Sequence, residues 1–385
     1  MTDNHPDREW SLLLAACSAA PPEQKRERIL PLVKQQVNWP KLFALADHHR
    51  TLSLLGRALG LIENAVPAAQ MHALKQSQQL NLHKSLLLSR ELIRIVGHLA
   101  GRGIAVMPYK GPVLAELLYA DIAMRQAGDI DLLIRAQDLS CIRDAVRELG
   151  YTPHLEFAPW EERAYLKSGY ELAFDGAAGP NLLEVQWAIQ PRFYAVDFDL
   201  GGLFQRAVTL NVAGQPMRTP SLSDLFLVLS MHAAKHVWKL LVWLCDIAQL
   251  MGRSGIDWKW IGSQARDLGI VRILRVTMLA ANQLLAAEIP AAASETLPKD
   301  RSAPALLEEI QAHIFSQSVF NVESASYFRL MMRLRERPAD RLRFLTRLAF
   351  TSGPSEWASI RLPRPLFPLY SLVRISRLAR KLLRA

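Results

Sequence analysis

A pair of aspartates at the start of an apolar segment constrains this chain more than any other feature. Asp129 and Asp131 stand one residue apart in "GDIDLLI", and alternate side chains of a β-strand point to the same face. Both carboxylates would therefore project from one side of a strand over residues 129–134, where like charges raise each other's pKa and reduce stability. A divalent cation bound between the carboxylates would remove that cost, so the pair predicts a metal site.

The residues before this strand have the character of a phosphate cradle. Gly111 would allow the backbone to approach a ligand closely. The helix predicted to open there and run over residues 113–119 offers free N–H groups and a positive dipole end. Lys110 supplies a point charge, and Arg125, four residues before the first aspartate, could reach the same triphosphate. We therefore expect a nucleotide site at Lys110, Gly111, Arg125 and Gly128.

A third acid would complete a site for phosphoryl or nucleotidyl transfer. Such sites use cations, commonly two Mg²⁺ ions held by carboxylates, to neutralise developing charge and to align nucleophile with leaving group. In "NLLEVQWAI" the apolar residues face one way, and Glu184 and Gln186 face the other. A charge within so apolar a strand is costly unless it is paired or bound to metal. Glu184 is therefore the candidate, with Glu171 as the alternative; Trp187, on the opposite face, could stack on a nucleobase or pack in the core.

A polar stripe is predicted on a later helix. At about 100° per residue, His232, His236, Lys239, Trp243 and Asp246 fall within one arc. Histidines at this spacing can bind zinc, but "HAAKH" lacks the glutamate of the HExxH hydrolytic signature. The stripe could instead face the active-site cleft and bind the substrate or the triphosphate, or form an exposed or domain-packing face. Trp243 could stack on a nucleobase or pack in the core.

Helical and mixed regions alternate along the chain. Apolar spacings of three and four residues predict helices over residues 8–100, ended by Gly101 and Gly103, and again from Ser221 onward. The part between them has the pattern of an α/β unit. We expect an α+β fold with an N-terminal helical region (1–100), an α/β core (101–215) and a C-terminal helical region with a basic tail (216–385). Strands are expected over residues 104–107, 129–134, 151–157, 170–174 and 182–189, a helix over 138–149, and a loop over 290–304.

Basic charge is concentrated near the end of the chain. The net charge is +10, and after position 340 ten Lys or Arg residues stand against one acid, Glu356. The segment "LYSLVRISRLARKLLRA" is a basic amphipathic helix, a pattern that suits an anionic membrane surface. It also suits RNA, an acidic partner, or a terminal helix docked on the body. The rest of the chain is nearly balanced, so no specific nucleic-acid binding by the body is expected.

Cysteine usage and hydropathy indicate the cellular location of the protein. Cys17, Cys141 and Cys245 are scattered and odd in number, so neither a disulfide framework nor a zinc knuckle follows. No segment reaches the roughly 18 apolar residues of a membrane span, and the apolar run before Cys17 is too short for a signal peptide. We expect a cytoplasmic protein, with contact of the tail at the inner face of the membrane as the alternative.

In this order, the motifs resemble the uncharacterised nucleotidyltransferase family of the polymerase-beta-like superfamily. That superfamily has a glycine-led turn and helix, then Asp-hydrophobic-Asp, then a later acidic strand residue. Here "KG", a helix ending "LLY", an arginine and "GDIDLLI" follow one another, and "MHAAKHVWKLLVWLCDIAQLM" and "RLPRPLFPLYSLVRISRL" resemble later family segments. The likeness runs from about residue 104 to 380. Two positions depart from it: Lys110-Gly111 replaces Gly-Ser at the turn, and Gln186 stands where members often carry histidine.

The resemblance implies a Mg²⁺-dependent nucleotidyltransferase with a small mixed-sheet core. By this resemblance, Asp129, Asp131 and Glu184 are catalytic and hold two Mg²⁺ ions, with Mn²⁺ as the alternative. The implied substrates are an NTP such as ATP and an unidentified acceptor (a small molecule, peptide or protein), in settings such as natural-product assembly. The implied nucleotide-binding residues are Lys110, Gly111, Arg125, Gly128, His232, His236 and Lys239.

Two other interpretations stay open at this point. A lone Asp-x-Asp also occurs at a solvated strand edge, and Glu184 would then form a structural salt bridge. The same fold could also serve as a non-catalytic binding module, antitoxin-like or scaffolding, and the missing turn serine supports that interpretation. A dead site would have no use for two adjacent charges, which favours the enzyme.

Overall fold

The N-terminal part of the chain is helical, as the apolar spacing predicts. The computed structural model describes residues 7–176, 179–317, 324–360 and 362–383. Asp7 caps the first helix by accepting a hydrogen bond from the Trp10 backbone N–H at 3.1 Å, which satisfies one of the helix's unpaired donors. The last helix ends one residue before Gly101, where the sequence predicts its end. The helices are α1 (Arg8–Cys17), α2 (Pro22–Val33), α3 (Trp39–His48), α4 (Leu52–Gly60) and α5 (Ala68–Ala100).

A small mixed sheet follows, and the expected α+β class is confirmed. The five strands lie in the order β1-β2-β5-β4-β3. β2 and β5 are parallel, and the other pairs are antiparallel. The elements are β1 (Met107–Pro108), α6 (Gly111–Tyr119), β2 (Asp129–Leu133), α7 (Leu139–Glu148), β3 (Thr152–Pro153), α8 (Pro159–Ser168), β4 (Glu171–Gly176) and β5 (Gly179–Gln186).

Three sequence expectations for this region need correction. The strand expected over residues 104–107 is only Met107–Pro108. The strand expected over 151–157 ends at Pro153, which cannot donate to a ladder, and α8 follows it. A hairpin was not anticipated: after α9 (Leu200–Gln205), β6 (Val208–Val212) pairs with β7 (Gln215–Thr219). Ala213 and Gly214 join them with φ values of 48° and 83°, the positive angles that tight hairpin turns require.

The C-terminal part is helical, with one break that the sequence does not announce. Ser221, from which helices are expected to resume, caps the first helix by accepting a hydrogen bond from the Asp224 backbone N–H. The single helix expected through His232, His236 and Asp246 is wrong, because the chain turns after Lys235. The helices are α10 (Leu222–Lys235), α11 (Leu241–Met251), α12 (Trp258–Leu268), α13 (Val271–Leu285), α14 (Ala291–Thr296, within the expected loop), α15 (Ala303–Ser316), α16 (Ala325–Arg333), α17 (Pro338–Phe350), α18 (Pro354–Ser359) and α19 (Tyr370–Leu383).

The N-terminal and C-terminal helices share one hydrophobic core. Leu12 and Leu13 of α1 are fully buried in the cluster that also contains α10, α11 and α13. The Trp10 and Phe315 rings lie 5.1 Å apart, edge to face, and each such buried side chain stabilises the fold by about 2 kcal/mol. A second cluster covers the other face of the sheet with α5 and α7. The sheet is therefore held between two packed layers of helices.

The C-terminal helix is docked on the body with much of its basic flank inward. Arg374 is 8% exposed, and both it and Arg377 pair with the buried Glu356 carboxylate. Leu372 and Ile375 remain exposed instead. The docked-helix alternative therefore describes the 370–383 segment. Across the described ranges of the chain, no helix is both long enough and apolar enough to cross a bilayer.

Candidate active site

All the predicted site residues except Gly111 and Gly128 line one cleft of about 310 Å³, and Gly128 lines a neighbouring cavity. The walls of the cleft come from the α3–α4 turn, β1 and the start of α6, strands β2, β4 and β5, and the α10–α11 junction. A larger groove of about 970 Å³ lies between α8 and α17, but no carboxylate lines it. The residues that matter for chemistry in the smaller cleft are Arg50, Tyr109, Lys110, Arg125, Asp129, Asp131, Tyr170, Glu171, Glu184, Gln186, His232, Lys235, His236, Lys239 and Trp243.

Strand pairing brings the carboxylates together. β2 and β5 run parallel with Asp131 opposite Glu184 and Asp129 opposite Leu182. Asp131 is 2% exposed, so a solvated strand edge does not describe it. Lys110 Nζ lies 2.7 Å from Asp131 Oδ1, while Asp131 Oδ2 is buried without a hydrogen-bond partner. A buried carboxylate oxygen with no donor is costly, and it is the arrangement that a cation would complete.

Gln186 is the hub of the acidic cluster. Its Nε2 lies 2.9 Å from Glu184 Oε2, 3.2 Å from Asp131 Oδ1 and 3.2 Å from Glu171 Oε2. Its Oε1 accepts a hydrogen bond from the Tyr109 hydroxyl. The sequence alternation places Gln186 on the face of Glu184 but gives no sign that one neutral amide contacts three carboxylates. Gln186, at the position where family members often carry histidine, therefore holds the three carboxylates together.

Burial and mutual repulsion set the electrostatics of the acids. Burial and the neighbouring Asp131 and Glu171 raise the pKa of Glu184 to about 8. Burial and Asp131 likewise raise the pKa of Asp129. Carboxylate oxygens are the ligands that Mg²⁺ prefers, and Mg²⁺ usually takes only one or two of them beside water and substrate phosphates. The oxygen donors and the unpartnered Asp131 Oδ2 therefore fit Mg²⁺, although no group of three His, Cys, Asp or Glu side chains among the described residues is arranged to hold a metal ion.

Gly111 opens α6 directly against the first aspartate. Its φ is +58°, and a Cβ there would lie 3.1 Å from the Asp129 carbonyl oxygen. Both the left-handed backbone and the close approach require glycine. The free N–H groups at the start of α6 therefore lie beside β2, where the sequence predicts the phosphate cradle.

Arg125 lines the cleft, but its charge is already paired. Arg125 Nε donates to Asp246 Oδ2 at 2.9 Å, and the Tyr119 hydroxyl donates to Asp246 Oδ1 at 3.0 Å. Arg125 and Asp246 are both buried. Asp246 therefore holds the Arg125 guanidinium at the cleft wall, whereas the sequence places this aspartate in the polar stripe.

The histidine stripe faces the cleft from two helices rather than one. Val237 and Trp238 have φ values of 54° and 49°, and this left-handed turn separates α10 from α11. The Trp243 ring lies 4.9 Å from the His232 ring and 5.3 Å from the His236 ring. Burial lowers the pKa of His232 well below its usual range and that of His236 to about 3, so both imidazoles are neutral at pH 7.

The two tryptophans have different surroundings. Trp187 is buried, and its Nε1 donates to the Leu166 carbonyl oxygen at 3.1 Å; it packs in the core. Trp243 lines the cleft against the histidines.

Four polar cleft residues escaped the sequence interpretation: Arg50, Tyr109, Tyr170 and Lys235. Lys235 Nζ lies 3.2 Å from the Tyr170 hydroxyl, which in turn donates to Glu171. Burial lowers the pKa of Lys235 to about 8. The signal for Lys235 was its place three residues after His232. Arg50 comes from the N-terminal helices, which carried no site signal.

Comparisons with known proteins identify a family. The model of a family described as uncharacterised nucleotidyltransferase matches residues 35–286. This range begins earlier and ends earlier than the likeness expected over about 104–380, so α3, α4 and α5 belong to the family unit. No curated protein matches the chain.

Two solved structures show weak overall similarity. One is antibiotic-resistance factor ANT(2'')-Ia, with 16% identity over 51% of this chain and 92% of that chain and a TM-score of 0.30. The other is an antigenic nucleotidyltransferase-like protein from Paracoccidioides brasiliensis, with 16% identity over 54% of this chain and 95% of that chain and a TM-score of 0.32. Since the family model spans the paired aspartates, Glu184 and the histidine stripe, the chain belongs to the uncharacterised nucleotidyltransferase family.

Proposed function

We propose that the protein transfers an NMP group from an NTP to an acceptor hydroxyl or phosphate, with Mg²⁺, and releases pyrophosphate. One observation carries this proposal: Asp131 lies between Asp129 and Glu184 in a buried cleft, with one carboxylate oxygen unpartnered. In this proposal Asp129, Asp131 and Glu184 hold Mg²⁺, or Mn²⁺ in its place. The bound cation would supply neutralisation of charge on the phosphate oxygens.

The chain's own residues have separate tasks in this transfer. The start of α6 at Gly111, with Lys110, Arg125 and the Gly128 backbone, positions the triphosphate. Glu184 accepts the proton of the acceptor oxygen as that oxygen forms a bond to the α-phosphorus. The bond between the α-phosphorus and the bridging oxygen breaks, and its electron pair leaves with pyrophosphate.

The histidine side of the cleft orients the rest of the substrates. We assign His232, His236 and Lys239 to nucleotide contacts, with Trp243 as a stacking surface. Tyr170, Glu171 and Lys235 form the wall on the β4 side, next to Glu184, where the acceptor would lie. Glu171 is the alternative third ligand, and its contact with Gln186 supports that alternative.

The acceptor and the setting are also proposals. We propose a small-molecule, peptide or protein acceptor, as in natural-product assembly, and a cytoplasmic location, which the free, scattered cysteines support. Contact of the docked tail with a membrane has less support, because Arg374 and Arg377 pair with Glu356. The retained acidic cluster also argues against a non-catalytic binding module.

Incubation with each α-labelled NTP, Mg²⁺ and a host-cell lysate tests the proposal. We expect one NTP to yield pyrophosphate and to label a molecule of the lysate, and Asp131→Asn to abolish both. Asp175→Asn, an exposed residue of β4, is the matched control and should behave as wild type. Labelling that persists in Asp131→Asn, or no pyrophosphate with any NTP, would overturn the proposal.

A further inference from the structure

A second cavity adjoins the cleft on the side of Gly128. Its volume is about 410 Å³, and Arg50 lines both spaces. Arg50 and Lys84 are the basic residues of the lining, and Asp47 is the acidic one. Gly128 also lines it, so the cavity begins where β2 begins.

The structure fixes Arg50 at this position. It follows His49, which is fully buried; the His49 Nδ1 accepts from the Leu241 backbone N–H at 3.2 Å. The His49 carbonyl oxygen accepts from the Val242 N–H at 3.3 Å. Arg50 itself has a φ of 56°, a left-handed conformation that is uncommon outside glycine and costs free energy. The α3–α4 turn is thereby tied to the start of α11, beside the histidine stripe.

The start of α6 lies close to this cavity. A Cβ at Gly111 would lie 3.9 Å from the Ala127 Cβ, and Ala127 lines the second cavity. The free N–H groups of α6 are therefore near both spaces.

The attacking group and the leaving group occupy different parts of the site. In phosphoryl transfer the attacking and leaving oxygens are roughly in line. Glu184 lies beside Asp131 on the neighbouring strand, whereas Gly128, just before β2, lines the second cavity. The acceptor side next to Glu184 and the second cavity therefore occupy different parts of the site, and we assign the leaving group to the second cavity.

We propose that the second cavity receives the β- and γ-phosphates of the nucleotide, which leave as pyrophosphate, and that Arg50 and Lys84 are their counter-charges. The inference rests on the proposed nucleotidyl transfer. It gives the N-terminal helices a direct role in substrate binding. Arginine binds phosphate oxygens through charge-assisted hydrogen bonds, and lysine adds a point charge.

Calorimetric titration of inorganic pyrophosphate with Mg²⁺ tests the assignment. Arg50→Gln and Lys84→Gln should each weaken pyrophosphate binding by about tenfold or more, the usual effect of losing a charged hydrogen bond. Arg90→Gln, an exposed arginine on the same helix as Lys84, should bind as wild type. Arg50→Lys should recover part of the affinity, which separates lost charge from a local folding defect. Binding of the matching NMP should change by less than about twofold in every variant.

The outcomes separate this inference from the function on which it rests. Wild-type pyrophosphate affinity in Arg50→Gln and Lys84→Gln overturns the inference. So does a loss of NMP affinity without a loss of pyrophosphate affinity, since the nucleoside end would then occupy the cavity. If the wild-type protein makes pyrophosphate from an NTP while these variants bind normally, the proposed function stands and the inference alone fails. If the wild-type protein binds no NTP with Mg²⁺, the proposed function fails and the inference fails with it.

Discussion

Lys110 Nζ lies 2.7 Å from Asp131 Oδ1, and both side chains are almost completely buried. The lysine assigned to a phosphate is thus paired with a carboxylate assigned to Mg²⁺. The two proposed roles are coupled, because a cation held by Asp131 would offset the carboxylate charge and free Lys110 to contact the triphosphate. The Lys110 charge also offsets part of the negative charge of the acidic cluster.

Replacing this lysine should therefore destabilise the fold. In Lys110→Met the buried Asp131 charge loses its partner, which should lower the free energy of unfolding by about 3 kcal/mol. Urea denaturation measures this, and millimolar Mg²⁺ should restore part of the loss. The control is Lys75→Met, which breaks the exposed pair with Glu63 and should cost less than about 1 kcal/mol. Equal losses in the two variants would contradict the account.

Asp246 should act through Arg125. Asp246→Asn removes the buried counter-charge of Arg125, and we expect the KM for the NTP to rise about tenfold with a smaller change in kcat. Tyr119→Phe is the control, because it removes only the hydrogen bond from the Tyr119 hydroxyl to Asp246, leaves the ion pair in place and should cost about 2 kcal/mol of stability. Steady-state kinetics with thermal melts checks both. An unchanged KM in Asp246→Asn would show that Arg125 needs no fixed position.

Gln186 should tune the acidic cluster. Gln186→Leu leaves Asp131, Glu171 and Glu184 without their shared donor. Loss of such a supporting contact typically reduces metal affinity or activity about 10–100-fold. Gln186→His restores the residue that family members often carry, and it should keep more activity than the leucine variant. Activity titrated against Mg²⁺ would show this order, and equal curves would contradict it.

Lys235 should give substrate binding a dependence on pH. Burial lowers its pKa from 10.5 to about 8, so the folded protein loses this cation as the pH rises through about 8. Affinity for an anionic substrate should fall across that step. Lys235→Met should make the step smaller, leaving the part that belongs to Glu184, whose pKa is also about 8, whereas Lys259→Met, on α12, should retain the whole step. The KM of each protein measured from pH 7 to 9.5 tests this prediction. A profile in Lys235→Met equal to that of the wild type would contradict a role for Lys235 in binding the substrate.

The lowered pKa of Lys235 also makes the stability of the folded protein depend on pH. Between about pH 8 and 10.5 the unfolded chain binds more protons at Lys235 than the folded protein does. The contribution of this residue to the free energy of unfolding therefore increases with pH in that window. We expect the free energy of unfolding of the wild type to lie below that of Lys235→Met near pH 8 and to approach it as the pH rises. Denaturation of both proteins at several pH values measures this.

The strand that carries the paired aspartates could be predicted because its signals are local. Alternation placed Asp129, Asp131 and Glu184 on the cleft side of the sheet, and glycine chemistry placed Gly111 at the turn. Arg50 could not be found this way, since its position depends on hydrogen bonds between His49 and the distant start of α11.

The break after Lys235 was unpredictable for a related reason. Neither glycine nor proline marks it, and Val237 and Trp238 adopt left-handed conformations against their own preference. Both side chains are buried in the helical core, and we attribute the turn to that tertiary packing. The inward flank of α19 likewise depends on Glu356, which precedes it in the chain but lies beneath it.

Calorimetric titration of the four NTPs, with and without Mg²⁺, tests the central claim most directly. We predict that at least one NTP binds only with Mg²⁺, and that Asp131→Asn abolishes this binding while Asp175→Asn leaves it intact. NTP binding that depends neither on Mg²⁺ nor on the Asp131 carboxylate would contradict the account.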